Sequence, residues 1–377
     1  MSQPALHVVQ VSFFVSAPEH LPPQILEGTI SLVLTAEAVA LGGGRVTVIQ
    51  ACGHNQVLTR NGIDYHFLKP AFGENTISSS TAFRALIRKL APDVFHVHGL
   101  GYPRDTLTLA ALAPGVPIFL QDHANRVPRF WHRRAWRRGL AAASGIAFCA
   151  LAQAQPFRKH GLVGECVRLH EIPECTSRFT PGDRARAREL TGMRGDPALL
   201  WVGHLNDNKD PLTVLEGFAA VAAQLPAAEL WCAYGTAPLM DQVRRRIDAD
   251  ERLRGRVHLL GKLPAERIEQ LMRAADFFVL GSHREGSGYS LIEALACGLP
   301  PVVTDIPSFR VLTGNEQVGG LWPRGDATAF AQRLLALARQ PSAPQRVAAR
   351  EHFDRSLSLE ALGRQLTTAY RHTLAHE

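Results

Sequence analysis

Two glutamates eight residues apart have the types and spacing that point most directly to chemistry. Residues 276–305 read DFFVLGSHREGSGYSLIEALACGLPPVVTD, which puts Glu285 in a loop after an apolar strand and Glu293 in the first turn of a helix. The small residues Gly286–Gly288 let the backbone approach a ligand closely, and amides at a helix start bind phosphate. The segment predicts a phosphate-binding loop with both carboxylates facing one crevice.

Both glutamates also have a purely structural interpretation. Ser290 and Glu293 form an S-x-x-E pattern, the capping box in which the glutamate closes the helix start. Glu285 follows Arg284 at a strand end and equally fits a surface charge. The pattern alone leaves both alternatives open.

Histidines and aspartates raise the question of a metal. His96 and His98 form an H-x-H pair on one face of a strand, but the sequence shows no third ligand beside them. Asp248 and Asp250 spell D-x-D inside a charged stretch that no strand leads into, and are expected at the surface. We predict no metal ion and no cofactor.

A basic and aromatic cluster stands out in the first half. Six arginines lie between Arg126 and Arg138, interleaved with Phe130, Trp131 and Trp136. The net charge is +7, and this mixture suits phosphates or a membrane interface. A solvated helix face with two aromatics packed beneath it fits as well. No nucleic-acid-binding module accompanies the cluster, so no nucleic-acid partner is predicted.

Alternating strands and helices must position these residues. The 377 residues predict two domains, and the alternation predicts doubly wound parallel α/β layers. Ligands bind at the carboxyl ends of such strands, which places the active site between the domains. The turn-rich segment 172–187 marks the boundary. The strands are predicted at 6–15, 45–51, 93–98, 116–121, 145–150, 167–172, 198–203, 228–234, 256–260, 276–282 and 300–304, and the first-half helices at 29–41, 77–90, 131–143 and 153–160.

Composition excludes several classes of protein. Hydrophobic residues make up 46% of the chain and charged residues 20%, the profile of a folded globular protein rather than a disordered one. The six cysteines show no C-x-x-C spacing, which favours free thiols in a reducing compartment. The apolar run LHVVQVSFFV is interpreted as a first strand rather than a leader peptide, and no membrane span is expected. A cytoplasmic location is therefore predicted.

Motifs along nearly the whole chain resemble one enzyme family. REGSGYSLIEALACGLPPVVTD resembles the Glu-x7-Glu signature of the retaining glycosyltransferases of family 4 (group 1). WVGHLNDNKDPLTVLEGFA, VHLLGKLPAERIEQLMRAAD, IPECTSRFTPGD, DVFHVHG and FLQDHA resemble further elements of that family in the same order. The resemblance implies a GT-B fold of two Rossmann-like domains. It assigns residues 1–180 to an acceptor-side domain and 181–356 to a nucleotide-sugar domain, with a final helix, 357–377, packing on the first.

The resemblance also implies a role for each matching residue. Glu293 would bind the ribose hydroxyls and Glu285 the donor sugar, while Lys209 would neutralise the diphosphate leaving group. His123 would help to position the donor sugar. The donor-binding set is completed by Gly203, His204, Gly286, Ser287, Gly288, Tyr289 and Ser290.

Two positions depart from the family pattern. His204 stands where the family usually has arginine, which replaces a permanent two-pronged donor by a conditional single one. The family's N-terminal Gly-Gly loop is not recognisable, and EHLPPQILEGT stands in its place. Weaker diphosphate binding, another donor, compensation by a neighbouring basic residue and a degenerate enzyme all remain open.

The activity implied is sugar transfer from a nucleoside-diphosphate sugar to an acceptor hydroxyl, with retention and without a metal. The alternatives are a nucleotide-sugar epimerase of the same fold and a GT-B subunit that binds without turnover. The acceptor would be a glycan or lipid-linked glycan for the cell envelope or export, such as lipopolysaccharide. Arginines of the basic cluster would then contact the acceptor or an anionic membrane at its inner face; they are Arg129, Arg133, Arg134 and Arg137.

Overall fold

The structure is a computed structural model that describes residues 5–17 and 19–374. The chain divides into two compact units. The first domain contains the residues up to Thr176 together with those from Leu359 onwards, and the second domain is Ser177–Ser358. The chain divides after Thr176 and after Ser358, close to the predicted positions 180 and 356.

The first domain is built on an eight-stranded sheet in the order β3-β4-β2-β1-β5-β6-β7-β8. Every neighbouring pair is parallel except β3 and β4. The strands are β1 His7–Ser12, β2 Arg45–Ala51, β3 Gln56–Arg60, β4 Ile63–Leu68, β5 Val94–His98, β6 Ile118–Gln121, β7 Gly145–Phe148 and β8 Arg168–Glu171. The helices up to Thr176 are α1 Pro22–Gly28, α2 Ile30–Leu41, α3 Thr81–Leu90, α4 Pro103–Leu112, α5 Arg133–Ala141 and α6 Gln155–Lys159.

Both faces of this sheet are covered by apolar residues. Val9 and Val11 belong to one buried cluster, whereas Val8 belongs to another, because successive side chains of a strand point to opposite faces. Strands buried on both faces are continuous apolar runs, which is why β1 and β5 could be predicted from sequence.

Several boundaries differ from the predicted ones. The first strand ends at Ser12 rather than at residue 15. The helix predicted over 77–90 is a 3-10 turn, Ile77–Ser79, followed by α3, because Ser80 has an extended backbone and its hydroxyl accepts a hydrogen bond from the Phe83 amide. Similar 3-10 turns precede α5 and α6, at Phe130–His132 and Leu151–Ala154.

The second domain has a six-stranded sheet in the order β11-β10-β9-β12-β13-β14, with parallel neighbours throughout. Counted within the domain this is 3-2-1-4-5-6, the dinucleotide-binding order of doubly wound sheets. The strands are β9 Ala198–Val202, β10 Glu229–Ala233, β11 Val257–Gly261, β12 Phe277–Leu280, β13 Pro301–Thr304 and β14 Gly320–Trp322. The helices are α7 Arg184–Thr191, α8 Pro211–Gln224, α9 Met240–Asp248, α10 Ala265–Ala274, α11 Tyr289–Ala296, α12 Pro307–Leu312, α13 Ala327–Ala338 and α14 Ser342–Ser356. The predicted pair of Rossmann-like domains is confirmed.

The last helix, α15 Leu359–Leu374, belongs to the first domain. Its buried residues Leu362, Leu366 and Tyr370 join the same apolar cluster as Val8. The helix packs closely on α2, since a Cβ added at Gly363 would lie 2.1 Å from the Ala38 carbonyl oxygen.

No single helix in the described part of the chain is long and apolar enough to cross a membrane. Helices α1 and α2 meet that criterion only together, as a pair bent by 84°.

Candidate functional site

Two loops of the second domain meet where the strand order reverses. One loop follows β9 and the other follows β12, and these two strands are neighbours in the sheet. The backbone amide of His283 donates to the Asn208 carbonyl at 2.7 Å, and the Asn208 side-chain amide donates to the Arg284 carbonyl at 2.9 Å. These bonds hold the residues that follow β9 against those that follow β12, at the point where doubly wound sheets bind ligands.

Lys209 and Glu285 form an ion pair across the two loops, between Nζ and Oε1. Their side chains are only 15% and 13% exposed, so water screens the pair weakly. The Asn206 carbonyl and side-chain oxygens both accept from the Lys209 amide and orient its backbone. A cation and a carboxylate are thus held together at the start of α8.

Helix α11 begins one residue before the serine of the S-x-x-E pattern. Its N-cap is Gly288, at a φ of 91°, and the cap supplies no side-chain hydrogen bond to the helix start. A Cβ at Gly288 would lie 2.6 Å from a ring carbon of Phe309, so both the φ angle and the space favour glycine. The capping-box interpretation of Ser290 and Glu293 is wrong, because the left-handed glycine, not the serine, caps this helix.

One cavity of about 330 Å³ collects most of the predicted donor-binding residues. Of these it is lined by Gly203, His204, Lys209, Glu285, Tyr289, Ser290 and Glu293. The remaining three, Gly286, Ser287 and Gly288, lie in the loop that joins Glu285 to α11. The glutamates eight residues apart therefore do face a common space.

Sequence reasoning missed several residues of the cavity, two of which have polar side chains. Tyr234 directly follows β10 and Lys262 directly follows β11, and both line the cavity. The signal available was their position at the carboxyl ends of strands. Using it requires the strand order, which places β10 beside β9 and β11 beside β10.

Burial changes the acidity of one carboxyl group in the cavity. It raises the pKa of Glu293 from 4.5 to about 7, because an ionised carboxylate loses its hydration there. The group therefore changes charge near neutral pH in the unliganded protein.

His204 has a defined hydrogen-bond role. Its Nδ1 accepts from the backbone amide of Thr236 at 3.0 Å, which leaves Nε2 to carry the ring proton of the neutral form. The residue at the family's arginine position thus presents a single N–H donor to its surroundings.

In the first domain, His123 belongs to a series of hydrogen-bonded side chains. Its Nδ1 lies 2.7 Å from Oε2 of Glu174, and its Nε2 lies 3.2 Å from Nδ1 of His98. The Nε2 of His98 lies 3.2 Å from the Gln10 side-chain oxygen. The ring of His96 stacks on His98 with centroids 4.5 Å apart.

The H-x-H pair is uncharged at neutral pH. Burial, the largest effect, lowers the pKa of His96 to about 3 and that of His98 well below 6.5. His96 Nδ1 lies 2.6 Å from the hydroxyl of Tyr370 on α15. Across residues 5–17 and 19–374 no three His, Cys, Asp or Glu side chains are grouped as metal ligands.

His123 and His98 line a second cavity, of about 310 Å³, within the first domain. It lies at the carboxyl ends of β1, β2, β5 and β6, whose following or final residues contribute to its wall. Ser12, Phe14 and Gln50 come from the first two of these strand ends. His123 therefore lies in a different cavity from Lys209 and the two glutamates.

The basic cluster is an exposed surface on α5 and the preceding turn. Phe130 is 73% exposed and Trp131 55%, and the Arg129 guanidinium lies 5.3 Å from the Trp131 ring centroid. Trp136 instead stacks on Phe157 in the core. The alternative interpretation of this cluster required two aromatic residues packed beneath a solvated helix face. Trp136 is packed in this way, but Trp131 is exposed.

The arginines of this surface differ in their contacts. Arg133 Nε donates to the Pro128 carbonyl at 3.4 Å and Arg137 Nε to the Gly161 carbonyl at 2.8 Å. Arg134 is exposed on the same helix. The six cysteines form no disulfide, and Cys166 is the exposed one.

Comparison with known proteins agrees with this geometry. Residues 196–340 match the family model for group 1 glycosyl transferases. A GDP-mannose:cellobiosyl-diphosphopolyprenol alpha-mannosyltransferase of Xanthomonas campestris is 27% identical over 259 residues, which are 67% of this chain and 66% of that protein. A D-inositol 3-phosphate glycosyltransferase of Nocardia farcinica is 31% identical over 168 residues, 43% of this chain and 37% of that protein. The match thus spans slightly less than two thirds of the Xanthomonas relative.

Solved structures show the same fold across almost the whole chain. Sucrose-phosphate synthase from Thermosynechococcus elongatus superposes with a TM-score of 0.72 at 20% identity, covering 99% of this chain and 100% of that one. Anabaena HepE, solved in complex with UDP and glucose, gives 0.67 at 15% identity, covering 97% and 100%. The family match in the second domain and this two-domain fold agree with the sequence motifs: residues 196–340 resemble the group 1 glycosyltransferases, and the chain has the GT-B fold.

Proposed function

We propose that this protein transfers a sugar from a nucleoside-diphosphate sugar to an acceptor hydroxyl. The observation that carries the proposal is the second-domain cavity, where Lys209, Glu285 and Glu293 meet beside a glycine-containing helix start. The relatives named as glycosyltransferases and the HepE structure with UDP and glucose support it. The donor would bind in this cavity.

Each donor group has a matching residue in the proposal. Glu293, when ionised, accepts hydrogen bonds from two ribose hydroxyls. The diphosphate binds beside Lys209 and the start of α11, where it competes with Glu285 for the ammonium group. Glu285 then accepts from hydroxyls of the donor sugar. Binding of the donor thus replaces one ion pair by another and orients the sugar.

We propose a retaining reaction without a metal or cofactor. The bond between the anomeric carbon and the diphosphate oxygen breaks, and the acceptor oxygen forms the new bond on the same face. The acceptor's proton goes to the departing phosphate oxygen. Negative charge grows on the diphosphate as its bond breaks, so Lys209 stabilises the transition state more than the ground state.

The decisive experiment is incubation of the purified protein with labelled UDP-, GDP- and ADP-sugars, with and without a membrane extract that contains acceptors. Acceptor-dependent labelled product supports transfer. Conversion of the donor without acceptor would instead indicate epimerisation, and nucleotide binding without any product would indicate a subunit that does not turn over.

The acceptor and location belong to the same proposal. The Xanthomonas relative is named for a diphosphopolyprenol-linked acceptor, and the surface of Trp131 and the α5 arginines combines exposed aromatic and basic groups. Such surfaces bind anionic lipid interfaces. We therefore propose a cytoplasmic enzyme at the inner face of a membrane, acting in cell-envelope or exported-glycan synthesis.

A further inference from the structure

The first-domain cavity differs in chemistry from the second-domain cavity. Lys209 and Lys262 line the second-domain cavity, as a diphosphate requires. None of the described side chains that line the first-domain cavity is a lysine, arginine, aspartate or glutamate. A ligand held there is recognised by hydrogen bonds and shape rather than by charge.

Two titratable groups that line the first-domain cavity are uncharged at neutral pH. His98 is uncharged because burial and the neighbouring His96 and His123 lower its pKa. Burial also raises the pKa of Tyr102 above 10.0, which keeps its phenol neutral. The side chain of Glu174, which does not line the cavity, lies 2.7 Å from Nδ1 of His123.

Several polar groups that can form hydrogen bonds with hydroxyl groups line the first-domain cavity. Gln50 is fully buried, and its amide nitrogen donates to the carbonyls of Phe14 and Ala51 at 2.7 and 2.8 Å. Its carbonyl oxygen has no hydrogen-bond partner within the described chain. The hydroxyls of Ser12, Thr29 and Ser31 line the cavity too. A sugar ring offers donors and acceptors at a comparable density.

An aromatic ring completes the cavity. Phe14 lines it and is 61% exposed, on the segment just after β1. Exposed aromatic side chains beside a polar cavity mark binding surfaces, and the carbon-bound hydrogens of a sugar ring provide an apolar face that can pack on one. The volume of about 310 Å³ is at the small end for ligand sites, which fits one sugar unit rather than a lipid.

We propose that this cavity binds an uncharged, hydroxyl-rich sugar ring that is the terminal unit of the acceptor, with any phosphate of the acceptor lying outside it. This inference rests on the proposed function and narrows its acceptor to a neutral glycan. A phosphorylated unit, such as the inositol 3-phosphate in the name of the Nocardia relative, would meet no lysine or arginine side chain among the described lining residues.

Saturation-transfer NMR on the full chain measures the binding of small sugars and tests this inference without requiring catalytic turnover. The probes are methyl glucoside and methyl mannoside, glucose 6-phosphate and mannose 6-phosphate, and glucosamine, each with UDP or GDP present. We expect the methyl hexosides to bind at least about tenfold more tightly than the phosphates or the amine. Phe14→Ala should weaken their binding about three- to tenfold, from the usual worth of an aromatic contact. Phe72→Ala, which removes another exposed aromatic outside the cavity, should change nothing.

A variant that introduces a positive charge into the cavity provides a second test of the inference. Ser31→Lys places an ammonium group at the cavity wall, and we expect it to shift the preference towards the hexose phosphates. Tighter binding of a phosphate or amine by the wild-type protein, no binding of neutral hexosides, or unchanged hexoside binding by Phe14→Ala would overturn the inference. Stabilisation by a nucleotide with no hexoside binding would sink this inference alone. Hexoside binding with no nucleotide binding would instead contradict the proposed function.

Discussion

The ammonium group of Lys209 forms an ion pair with Glu285, and both side chains are largely buried. The donor diphosphate would compete with Glu285 for that ammonium group. We expect Lys209→Ala to lower turnover about 100- to 1000-fold, the usual cost of removing one charge-stabilising group. Lys209→Arg should recover part of that loss because it restores the cation. Lys69→Ala, an exposed lysine of the first domain, is the matched control.

Initial rates with the donor that stabilises the protein give the measurement, and thermal unfolding confirms that each variant is folded. Near-normal transfer by folded Lys209→Ala protein would contradict the role assigned to this lysine.

The raised pKa of Glu293 makes the free energy of unfolding depend on pH. The same carboxylate is proposed to bind the donor ribose. An unfolded glutamate has a pKa near 4.5, whereas the native group titrates at about 7. Between these values the native state holds a proton that the unfolded state has lost, so the free energy of unfolding falls as pH rises from about 4.5 to 7. Glu293→Gln removes this titration. We expect it to be the more stable protein at pH 8, by up to about 3 kcal/mol, but not at pH 4.5.

Urea unfolding of both proteins across this pH range measures the effect. The same variant should bind the nucleotide sugar more weakly above pH 7, because the neutral amide replaces a carboxylate that accepts from ribose hydroxyls. Parallel stability curves for the two proteins would show that Glu293 is not buried as described.

The residues of the second-domain cavity could be predicted because one motif contains most of them. Glu285 and Glu293 lie in one βαβ segment, and their spacing already placed both on a single cavity. The ion pair of Glu285 with Lys209 joins positions 76 residues apart, and no local pattern reveals it. Glu174 and Tyr370 were missed for the same reason, since their partners His123 and His96 are distant from them in the sequence.

Among the elements, the β3–β4 hairpin was not predicted, although the sequence contains a turn signal for it. Asn61 and Gly62 both have positive φ, at 53° and 74°, and N-G is the preferred pair for a tight hairpin turn. The strand β3 is mostly exposed, so it lacks the apolar run by which the buried strands were predicted. His96, His98 and His123 meet through strand register: His98 pairs with Gln121, and His123 follows two residues later.

Helix α5 and the turn before it form the element on which membrane binding is proposed. Arg133 and Arg137 bond to backbone carbonyls, so the informative changes are Trp131→Ala and Arg134→Glu. Because each basic residue near an anionic surface contributes about 1 kcal/mol, charge reversal at Arg134 should weaken binding about tenfold or more. Arg88→Glu on α3 makes the same charge change at another exposed site.

Co-sedimentation with phosphatidylcholine vesicles, with and without phosphatidylglycerol, is the measurement. Binding should require the anionic lipid and fall with added salt. Equal sedimentation with both vesicles, or no difference between Arg134→Glu and Arg88→Glu, would remove the membrane from the proposed function.

At the scale of the whole molecule, the two domains differ in how the chain builds them. The second domain is one continuous segment, Ser177–Ser358, whereas the first needs α15 from the end of the chain. Leu362, Leu366 and Tyr370 complete an apolar cluster that also contains residues of β1, β2 and α2. Two domains follow from length and alternation, but the discontinuity does not, because the helical period of α15 is compatible with packing on either sheet.

This discontinuity predicts unequal effects of truncation. A protein that ends at Ser358 loses three large buried side chains of the first domain, each worth about 1.5–3 kcal/mol, which together approach the stability of a typical domain of about 5–15 kcal/mol. We expect its first domain to be digested rapidly by protease, while the second domain survives and is still stabilised by a nucleoside diphosphate. Leu366→Ala should show the same effect more weakly, and Thr368→Ala, at an exposed position of α15, should resemble the full chain. Equal protease resistance of both domains after truncation would show that α15 is not part of the first domain's core.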